Sequence, residues 1–435
     1  MNKVRTIKVD MLTRVEGEGS VYVRFRGDKV AEVKLKIFEP PRLFEAFLRG
    51  RHFREVPDIV ARICGICPVA YQMSAVHALE SILGVHPPPA VRALRRLLYC
   101  GEWIESHALH VYLLHAPDFL GYPDALTMAH HHGPAVKAGL ALKKTGNQLV
   151  IALGGREIHP VGARVGGFYR MPASNELAQL LPALREAREL ALGMVELVRT
   201  LEFPAFERDY EFVALRHPAE YAMNEGRVVS SQGIDVAPEL YGEHFFEKHI
   251  GYSNALHSGI KGRGSYLVGP LARFNLNFDR LPAYVQQLAR ESGVEPPCRN
   301  PFKSIIVRAI ETLVAVEEAT RIIEEYEPPP EDPMRLGGQE PAPRAGVGHA
   351  CTEAPRGILY HRYELDAHGL VVSARIVPPT AQNQKGIEED LWGVAEQSAN
   401  LNEERLRLLC EQSIRNYDPC ISCATHFLRL DVRRS

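Results

Sequence analysis

Two pairs of cysteines carry the clearest chemistry in this 435-residue sequence. Cys64 and Cys67 lie in the N-terminal part and Cys420 and Cys423 near the C-terminus, with two residues between the members of each pair. That spacing lets one turn of backbone point both thiolates at the same metal ion. Soft sulfur ligands select zinc, copper(I), iron or nickel, and the spacing alone does not choose among them.

Two interpretations of these cysteines compete. A structural zinc site with four cysteine ligands would tie the two parts of the chain together. A redox-active metal centre would need polar groups beside it, and the candidates are Glu16, Glu45, Asp118, Arg356 and His426. A thioredoxin-like site is disfavoured, because it needs one Cys-x-x-Cys at a helix start in a βαβ unit.

The other cysteines and the clustered histidines are interpreted as structural. The lone cysteines act as small buried hydrophobic side chains in this interpretation; they are Cys100, Cys298, Cys351 and Cys410. His107, His110 and His115 are expected on one helix as core or supporting groups. The run His130 to His132 is expected in a loop before a helix breaker.

The spacing of apolar residues along the chain predicts a mainly helical α+β fold with small N-terminal and C-terminal β elements. These elements would position the residues named above. Alternating apolar residues predict a small antiparallel sheet in the first 37 residues. Helical spacing begins at Pro89 and recurs at 174–202, 281–294, 302–325 and 384–413. A Pro- and Gly-rich stretch at 325–345 predicts a surface loop, and 359–365 with 370–377 predict a hairpin.

Composition excludes several classes of partner. The net charge is -2, and no Lys/Arg run is dense enough for a nucleic-acid surface. No stretch of about 18 apolar residues occurs, and the N-terminus does not resemble a signal peptide. We therefore expect a cytoplasmic protein without a membrane span.

Five ordered motifs carry a family resemblance. They are Arg14-Val15-Glu16-Gly17, Arg62 to Cys67, Gly154 to Glu157 with His159-Pro160 and Gly166 to Phe168, Glu353 to Gly357, and Asp418 to Cys423 with His426. With these motifs the sequence resembles the large, catalytic subunit of nickel-iron hydrogenases over essentially its full length. The last motif is most similar to the cytoplasmic bidirectional branch, whose members work with partner subunits for NAD(P), a deazaflavin or thiol-disulfide carriers.

The resemblance implies the ligands of a bimetallic centre. Cys64 and Cys420 would bind nickel only, whereas Cys67 and Cys423 would bridge nickel to iron. The iron would also carry carbon monoxide and cyanide. The pocket around these diatomic ligands would be lined by Arg356 and the segment Pro378-Pro379-Thr380, with Asp118 orienting the arginine.

The resemblance also implies an activity, the reversible heterolytic cleavage of dihydrogen into protons and electrons. Such cleavage needs a base beside an electrophilic metal, and Cys420 followed by Glu16 would take the proton. Magnesium would be held by Glu45, His426 and a backbone carbonyl near Arg375.

One position departs from the family pattern. Many members have His four residues after the second cysteine of the first pair, whereas this chain has Tyr71. A tyrosine can donate one hydrogen bond but carries no charge near neutral pH. The surroundings of the bridging thiolate are therefore expected to differ.

Partner proteins follow from what the chain lacks. No iron-sulfur motif remains once the paired cysteines are used, so an iron-sulfur small subunit must carry the electrons away. Because no Gly-x-Gly-x-x-Gly follows a predicted strand, flavin or NAD(P) would bind to further subunits. Residues 1–426 are expected to form one domain, and 427–435 resemble a propeptide that an endopeptidase removes after nickel chaperones load the metal.

Two non-hydrogenase alternatives share the metals or the ancestry. A hydrogen sensor or an assembly-competent scaffold would bind the same metals but signal through a partner. The quinone-site relative in respiratory complex I shares the fold but typically lacks the cysteine pairs retained here.

Overall fold

The computed structural model describes residues 4–328 and 341–425, so His426 and the predicted propeptide at 427–435 lie outside the described residues. The helices are α1 (Phe44–Leu48), α2 (Val56–Ala61), α3 (Pro68–Leu83), α4 (Pro89–Ala108), α5 (Ala116–Leu120), α6 (Ala125–Gly154), α7 (Ser174–Ala178), α8 (Leu181–Arg199), α9 (Tyr241–His244), α10 (Pro270–Asn277), α11 (Ala283–Glu291), α12 (Ser304–Glu325), α13 (Pro379–Gln397), α14 (Glu403–Arg415) and α15 (Ile421–Ala424). A π-helical turn, Leu109–His115, joins α4 to α5.

The strands form small antiparallel sheets. They are β1 (Val4–Val9), β2 (Gly19–Arg26), β3 (Lys29–Ile37), β4 (Ala163–Arg164), β5 (Gly167–Phe168), β6 (Val213–Arg216), β7 (Arg227–Ser230), β8 (Asp235–Val236), β9 (Phe245–Lys248), β10 (His257–Ile260), β11 (Gly346–Ala354), β12 (Gly357–Leu365) and β13 (Val371–Val377). Sheet β1–β2–β3 confirms the predicted N-terminal sheet, and β12–β13 confirms the predicted hairpin.

Long helices form the centre of the molecule, where α4 packs against α6 and α12. Gly101 of α4 and Gly146 of α6 make the first of these crossings possible. A Cβ atom on Gly146 would lie 2.6 Å from the Gly101 carbonyl oxygen, so the two backbones touch only because both residues are glycine.

Three helix predictions need correction. The segment predicted as one helix over 384–413 is two helices, because the Asn402 side chain accepts a hydrogen bond from the Arg405 N–H at 2.9 Å and starts α14 afresh. The helix predicted over 174–202 is likewise divided between α7 and α8. His130 to His132 lie within α6 instead of a loop, and the helix kinks at His132, two residues before Pro134.

One apolar cluster connects the N-terminal sheet to the last described helix. It includes Ile7 of β1, the helices of the centre and Cys423 of α15. The prediction of a mainly helical α+β fold is confirmed. In the ranges 4–328 and 341–425, no helix is both long and apolar enough to cross a membrane.

Candidate metal centre

Segments from both ends of the chain carry the four paired cysteines. Cys64 lies in the turn after α2, Cys67 directly precedes α3, and Cys420 directly precedes α15, which contains Cys423. Glu16 pairs with Cys420 in an isolated parallel β-bridge. The Ile421 N–H donates to the Glu16 carbonyl at 2.9 Å and supports this bridge. This bridge joins the N-terminal segment to the C-terminal one beside the sulfurs.

The four sulfurs form a buried cluster. The Sγ–Sγ distances are 3.4 Å between Cys64 and Cys420, 3.7 Å between Cys67 and Cys423, and 2.9 Å between Cys420 and Cys423. No cysteine of the four is more than 3% exposed. All four ligand atoms lie within 4.8 Å of one another. Because metal–sulfur bonds are about 2.3 Å long, this donor set fits a thiolate-bound metal centre.

The protonation of the sulfurs supports the same fit. Hydrogen bonds from the Cys420, Cys423 and Cys67 sulfurs lower the pKa of Cys64, whereas burial raises the pKa of Cys420. Several thiolates in one dry pocket repel each other and lose hydration, so without a cation most of them stay protonated. A bound metal cation stabilises the deprotonated sulfurs and removes that conflict.

Arg356 is fixed beside the sulfurs by the turn between β11 and β12. Its Nε donates to the Asp418 carbonyl at 2.6 Å, one terminal nitrogen donates to the Asp418 carboxylate at 3.1 Å, and the other donates to Ser106 Oγ at 3.4 Å. Gly269, with φ +113°, lets the turn approach, since a Cβ there would lie 2.8 Å from the Arg356 carbonyl oxygen. The guanidinium therefore has one orientation.

The charges around Arg356 keep it a cation. Burial alone lowers the pKa of an arginine, but the negative charge of Asp418 and of the nearby cysteine sulfurs raises the pKa of Arg356 well above its usual value. A permanent positive charge beside the sulfurs in turn favours their thiolate form.

The prediction that Asp118 orients Arg356 is wrong. Asp118 lies in α5, where its Oδ1 accepts from Arg14 at 2.5 Å and from Arg415 at 2.8 Å. These contacts tie the carboxylate to the N-terminal segment and to α14. Asp418, which directly precedes Pro419 in the last motif, takes the partner position.

Glu16 does reach the sulfurs. Its Oε2 lies 3.1 Å from Cys420 Sγ and accepts a hydrogen bond from the Ser422 N–H at 3.0 Å. Ser422 Oγ donates to Glu39 Oε1 at 2.7 Å, and the Glu39 side chain is 16% exposed. Polar groups of Glu16, Ser422 and Glu39 therefore extend from Cys420 towards the surface.

Residues Pro378, Pro379 and Thr380 are buried at the start of α13. Thr380 Oγ1 accepts a hydrogen bond from the Cys420 N–H at 3.1 Å, which places this segment against the second cysteine pair. The segment therefore forms an apolar wall with one fixed polar contact.

Of the predicted magnesium ligands, Glu45 and Arg375 lie in the described part of the chain. Glu45 Oε1 accepts a hydrogen bond from the Ile376 N–H at 2.7 Å, so the carboxylate is next to the backbone that follows Arg375. The Arg375 side chain itself pairs with Glu247 at 3.0 Å. His426 lies outside the described residues.

Sequence reasoning missed three residues that support the centre. Asp418 lies in the last motif, two residues before Cys420, so its sequence position marked it as a carboxylate beside the ligands. Ser106 and Glu102 lie in none of the five motifs, so their sequence positions do not mark them. Glu102 of α4 accepts from the Val69 N–H at 2.6 Å, at the start of α3 directly after Cys67. Only the packing of α4 against α3 reveals that contact.

A helical protein whose buried four-thiolate centre takes its ligands from both ends of the chain is a cysteine-ligated metalloprotein by fold and site. The profile of the nickel-dependent hydrogenase family matches residues 42–148 and 261–426. The chain belongs to this family, as a large, catalytic subunit.

Individual relatives agree over the whole length. Sulfhydrogenase 1 subunit alpha of Pyrococcus furiosus is 35% identical over 430 residues, which cover 98% of each chain. NAD-reducing hydrogenase HoxS subunit beta of Cupriavidus necator is 29% identical, over 98% of this chain and 95% of that one. The crystal structure of an NAD+-reducing NiFe-hydrogenase superposes with a TM-score of 0.86 at 28% identity, covering 98% of this chain and 100% of that one.

Proposed function

We propose that Cys64, Cys67, Cys420 and Cys423 hold a nickel-iron centre at which this hydrogenase subunit cleaves dihydrogen heterolytically and reversibly. The observation that carries the proposal is the group of four buried sulfurs within 4.8 Å of one another. In this proposal Cys67 and Cys423 would hold both metals, and Cys64 and Cys420 would hold nickel. The iron would also carry carbon monoxide and cyanide.

When bound, the metal centre supplies the electrophile that polarises dihydrogen and accepts its electrons. Cys420 Sγ takes the proton in this proposal and passes it to Glu16 Oε2, 3.1 Å away. Ser422 and Glu39 continue the path, because their side chains share a hydrogen bond of 2.7 Å. The atoms of the first transfer and of the Ser422–Glu39 contact lie within hydrogen-bonding reach, and between them the Ser422 backbone N–H donates to Glu16 Oε2 at 3.0 Å.

Arg356, Pro378 and Pro379 form the pocket for the diatomic ligands in this proposal. All three are buried, so water is excluded from that side of the sulfurs. The planar guanidinium of Arg356, held by Asp418, offers fixed N–H donors over the centre. Pro378 and Pro379 supply apolar contacts without backbone donors.

A magnesium ion beside Glu45 is a further part of the proposal. A carboxylate next to the backbone of Arg375 and Ile376 offers the oxygen ligands that a hard divalent cation prefers. His426 would complete the ligands from this chain.

An iron-sulfur small subunit is the proposed electron acceptor. Within the described ranges, the paired cysteines are the only group of clustered cysteine ligands, so electrons need a second chain. Its proposed docking face carries the exposed side chains of Ile151, Ile158 and Val161. Ile158 adjoins Gly65, between the first two ligands, so a partner bound there approaches the centre.

Further electron-transfer subunits and a cytoplasmic location complete the proposed assembly. The relatives' names include a sulfhydrogenase and an NAD-reducing hydrogenase, which supports flavin or NAD(P) subunits as partners. None of the eight cysteines, all of which lie within the described residues, forms a disulfide, and this agrees with a reducing compartment.

Maturation is proposed to remove residues 427–435 from a single domain of 1–426, after nickel chaperones have loaded the metal. Thr425 is fully buried, and its carbonyl accepts from the Arg42 N–H at 2.7 Å. A nine-residue extension with three arginines is hard to lead out of so closely packed an interior. Cleavage by an endopeptidase after His426 relieves this conflict. Intact-mass measurement tests it, because an active, nickel-loaded subunit that retains 427–435 contradicts the proposal.

Replacing Cys420 by serine tests the centre as a whole. A hydroxyl is a harder and less acidic ligand than a thiol, so we expect loss of nickel and of dihydrogen-dependent dye reduction. Cys410→Ser is the matched control, since Cys410 is equally buried but lies outside the cluster. Wild-type nickel content and turnover in Cys420→Ser would reject the assignment, and zinc in place of equimolar nickel and iron in the wild type would reject the metals.

A further inference from the structure

A cavity of about 420 Å³ opens at the end of α3 that lies away from Cys67. Its wall combines the last turns of α3, the first turns of α4, the loop between β6 and β7, and β11. The exposed residues Ser81 and His86 lie at its mouth. Concave sites of this size are typical of small-ligand binding. Neither the metal centre nor the proposed partner face includes a residue of this wall.

Asn224 brings an unused carboxamide to this cavity. It lies in the loop between β6 and β7, lines the cavity and is 2% exposed. Neither its Oδ1 nor its Nδ2 has a hydrogen-bond partner among the described residues. The adjacent backbone is fixed, because the Met223 carbonyl accepts from the Glu353 N–H at 2.8 Å. Buried polar groups are normally hydrogen-bonded, so this amide calls for an occupant that has both a donor and an acceptor.

The charged groups of the wall are already paired with each other. Both terminal nitrogens of Arg95 donate to the Glu80 carboxylate, at 2.9 and 2.6 Å. The Nε of Arg92 donates to the Glu225 carboxylate. The two cations of the wall are therefore balanced by two carboxylates, which favours an uncharged ligand group over an ion.

The histidines and the cysteine of the wall favour hydrogen bonding over metal binding. Burial lowers the pKa of His77 and of His349, so both rings are neutral near pH 7. The His349 ring is fixed, since its Nδ1 and the Tyr360 hydroxyl share a hydrogen bond of 2.9 Å. Within residues 4–328 and 341–425, His77, His349 and Cys351 belong to no group of three potential metal ligands. The cavity therefore offers neutral rings and an amide instead of a cation site.

We infer that this cavity binds the base of a nucleoside or nucleotide, whose donor and acceptor edge pairs with the Asn224 carboxamide. A nucleobase presents an N–H donor beside an acceptor in one plane, which is the complement of an amide. The ring of His349 and the apolar side chains of Val85 and Pro87 offer faces for the flat base. The sugar extends through the mouth. The inference does not depend on the metals proposed for the cysteine cluster.

Calorimetric titration of the full chain with adenosine, guanosine, cytidine and uridine, each in turn, tests the inference. The chain is used without partner subunits, because flavin or NAD(P) sites on those subunits would also bind nucleosides. At least one nucleoside should bind, and D-ribose should not, since the base carries the recognition. Asn224→Leu keeps the volume but removes both hydrogen-bonding groups, so we expect the affinity for that nucleoside to fall by about 10-fold or more.

Asn416→Leu is the matched control. Asn416 is also 2% exposed and its amide also has no partner among the described residues, but it lies outside this cavity. Its replacement should leave nucleoside binding at the wild-type level. An equal loss of affinity in both variants would show a general effect on the fold and would oppose the inference.

The absence of binding by all four nucleosides would overturn the inference and leave a cavity that holds only water. An affinity unchanged in Asn224→Leu would overturn it too, since the base would then lie elsewhere. If circular dichroism shows that Asn224→Leu does not fold, a crystal structure of the wild-type chain with the bound nucleoside decides. A base edge within hydrogen-bonding distance of the Asn224 amide supports the inference, and a nucleoside at any other place opposes it.

Discussion

Two arginines buried to nearly the same degree differ in how many of their donors are used. Arg273 of α10 is 0% exposed and Arg356 is 2% exposed. Arg273 donates five hydrogen bonds, two to Glu311, one to Glu353 and two to backbone carbonyls, at 2.8–2.9 Å. All of its N–H groups therefore have acceptors within the protein.

Arg356 makes three such bonds to described residues, to the carbonyl and carboxylate of Asp418 and to Ser106. A guanidinium has five N–H groups, so two of them remain for something else. The fold uses all the donors of Arg273, whereas Arg356 keeps donors beside the cysteine sulfurs, as expected for the role proposed for it above.

Replacing Arg273 by methionine is the strongest test of this comparison. The change leaves Glu311 and Glu353 buried without their cation, so we expect the free energy of unfolding to fall by about 3–5 kcal/mol. Denaturant unfolding of the assembled enzyme measures it, with Arg290→Met at the surface as a control expected within about 1 kcal/mol. A loss below about 1 kcal/mol for Arg273→Met would show that the saturated network is not structural.

Arg356→Lys should lower activity strongly and stability little, in contrast to Arg273→Met. The lysine keeps the charge but loses the planar set of donors, so we expect dihydrogen oxidation to fall about 10²–10³-fold. Metal content should stay at the wild-type level, and the free energy of unfolding should fall by less than in Arg273→Met, because the lysine keeps a cation beside Asp418. Full activity in this variant would make Arg356 structural and remove the contrast with Arg273.

The stability of the fold in acid tests the ion pair between Arg273 and Glu311. Burial favours the neutral form of Glu311, but Arg273 outweighs it and lowers the pKa of Glu311 to about 2, from an ordinary 4.5. A depressed carboxyl pKa stabilises the fold above pH 4.5, and this stabilisation, on the order of 3 kcal/mol, is lost as the pH falls towards 2.

Two neighbours of Glu311 act at higher pH and oppose each other. Burial lowers the pKa of His107 to about 4, so the fold loses stability as the pH falls below 6.5. Burial raises the pKa of Glu353 to about 7, so the fold gains stability as the pH falls below 7.

Glu318, whose pKa is also lowered to about 2 because Arg321 and Arg96 outweigh its burial, loses its stabilising charge in the same acid range. The difference between wild type and Glu311→Gln therefore measures the Glu311 contribution. The slope between pH 4.5 and 2 should be smaller in Glu311→Gln, and an unchanged slope would contradict the assignment.

Glu16→Gln tests the centre with the smallest structural change. The amide keeps the shape but cannot accept and release a proton, so we expect proton–deuterium exchange to slow about 10²-fold. The infrared bands of the metal ligands should remain, and Glu18→Gln, at an exposed position two residues on, should behave as wild type. Disappearance of the bands in Glu16→Gln would instead make Glu16 an assembly residue.

Sequence patterns predicted the features that depend on local spacing. The N-terminal sheet followed from alternation, the β12–β13 hairpin from its Gly369 turn, and the cysteine cluster from paired spacing. The break between α13 and α14 was missed, because apolar spacing continues across a point at which the Asn402 side chain caps a new helix. Asp118 was expected to orient Arg356 from the family resemblance, whereas Arg356 pairs with Asp418 in the structure. The direction of a carboxylate depends on how its helix packs, which residue spacing does not encode.

The contact between Cys64 and Cys420 joins segments that are far apart in the sequence, and this affects the order of folding. Cys64 and Cys420 are separated by 356 positions, so closing the loop between them costs about 5 kcal/mol of chain entropy. Contacts of such long range form only after local helices have formed and reduced the entropy that closing the loop must still remove. During synthesis the emerging chain holds Cys64 and Cys67 without their counterparts until Cys420 and Cys423 have been made. The four sulfurs can therefore meet only after the helices between the two pairs have been synthesised.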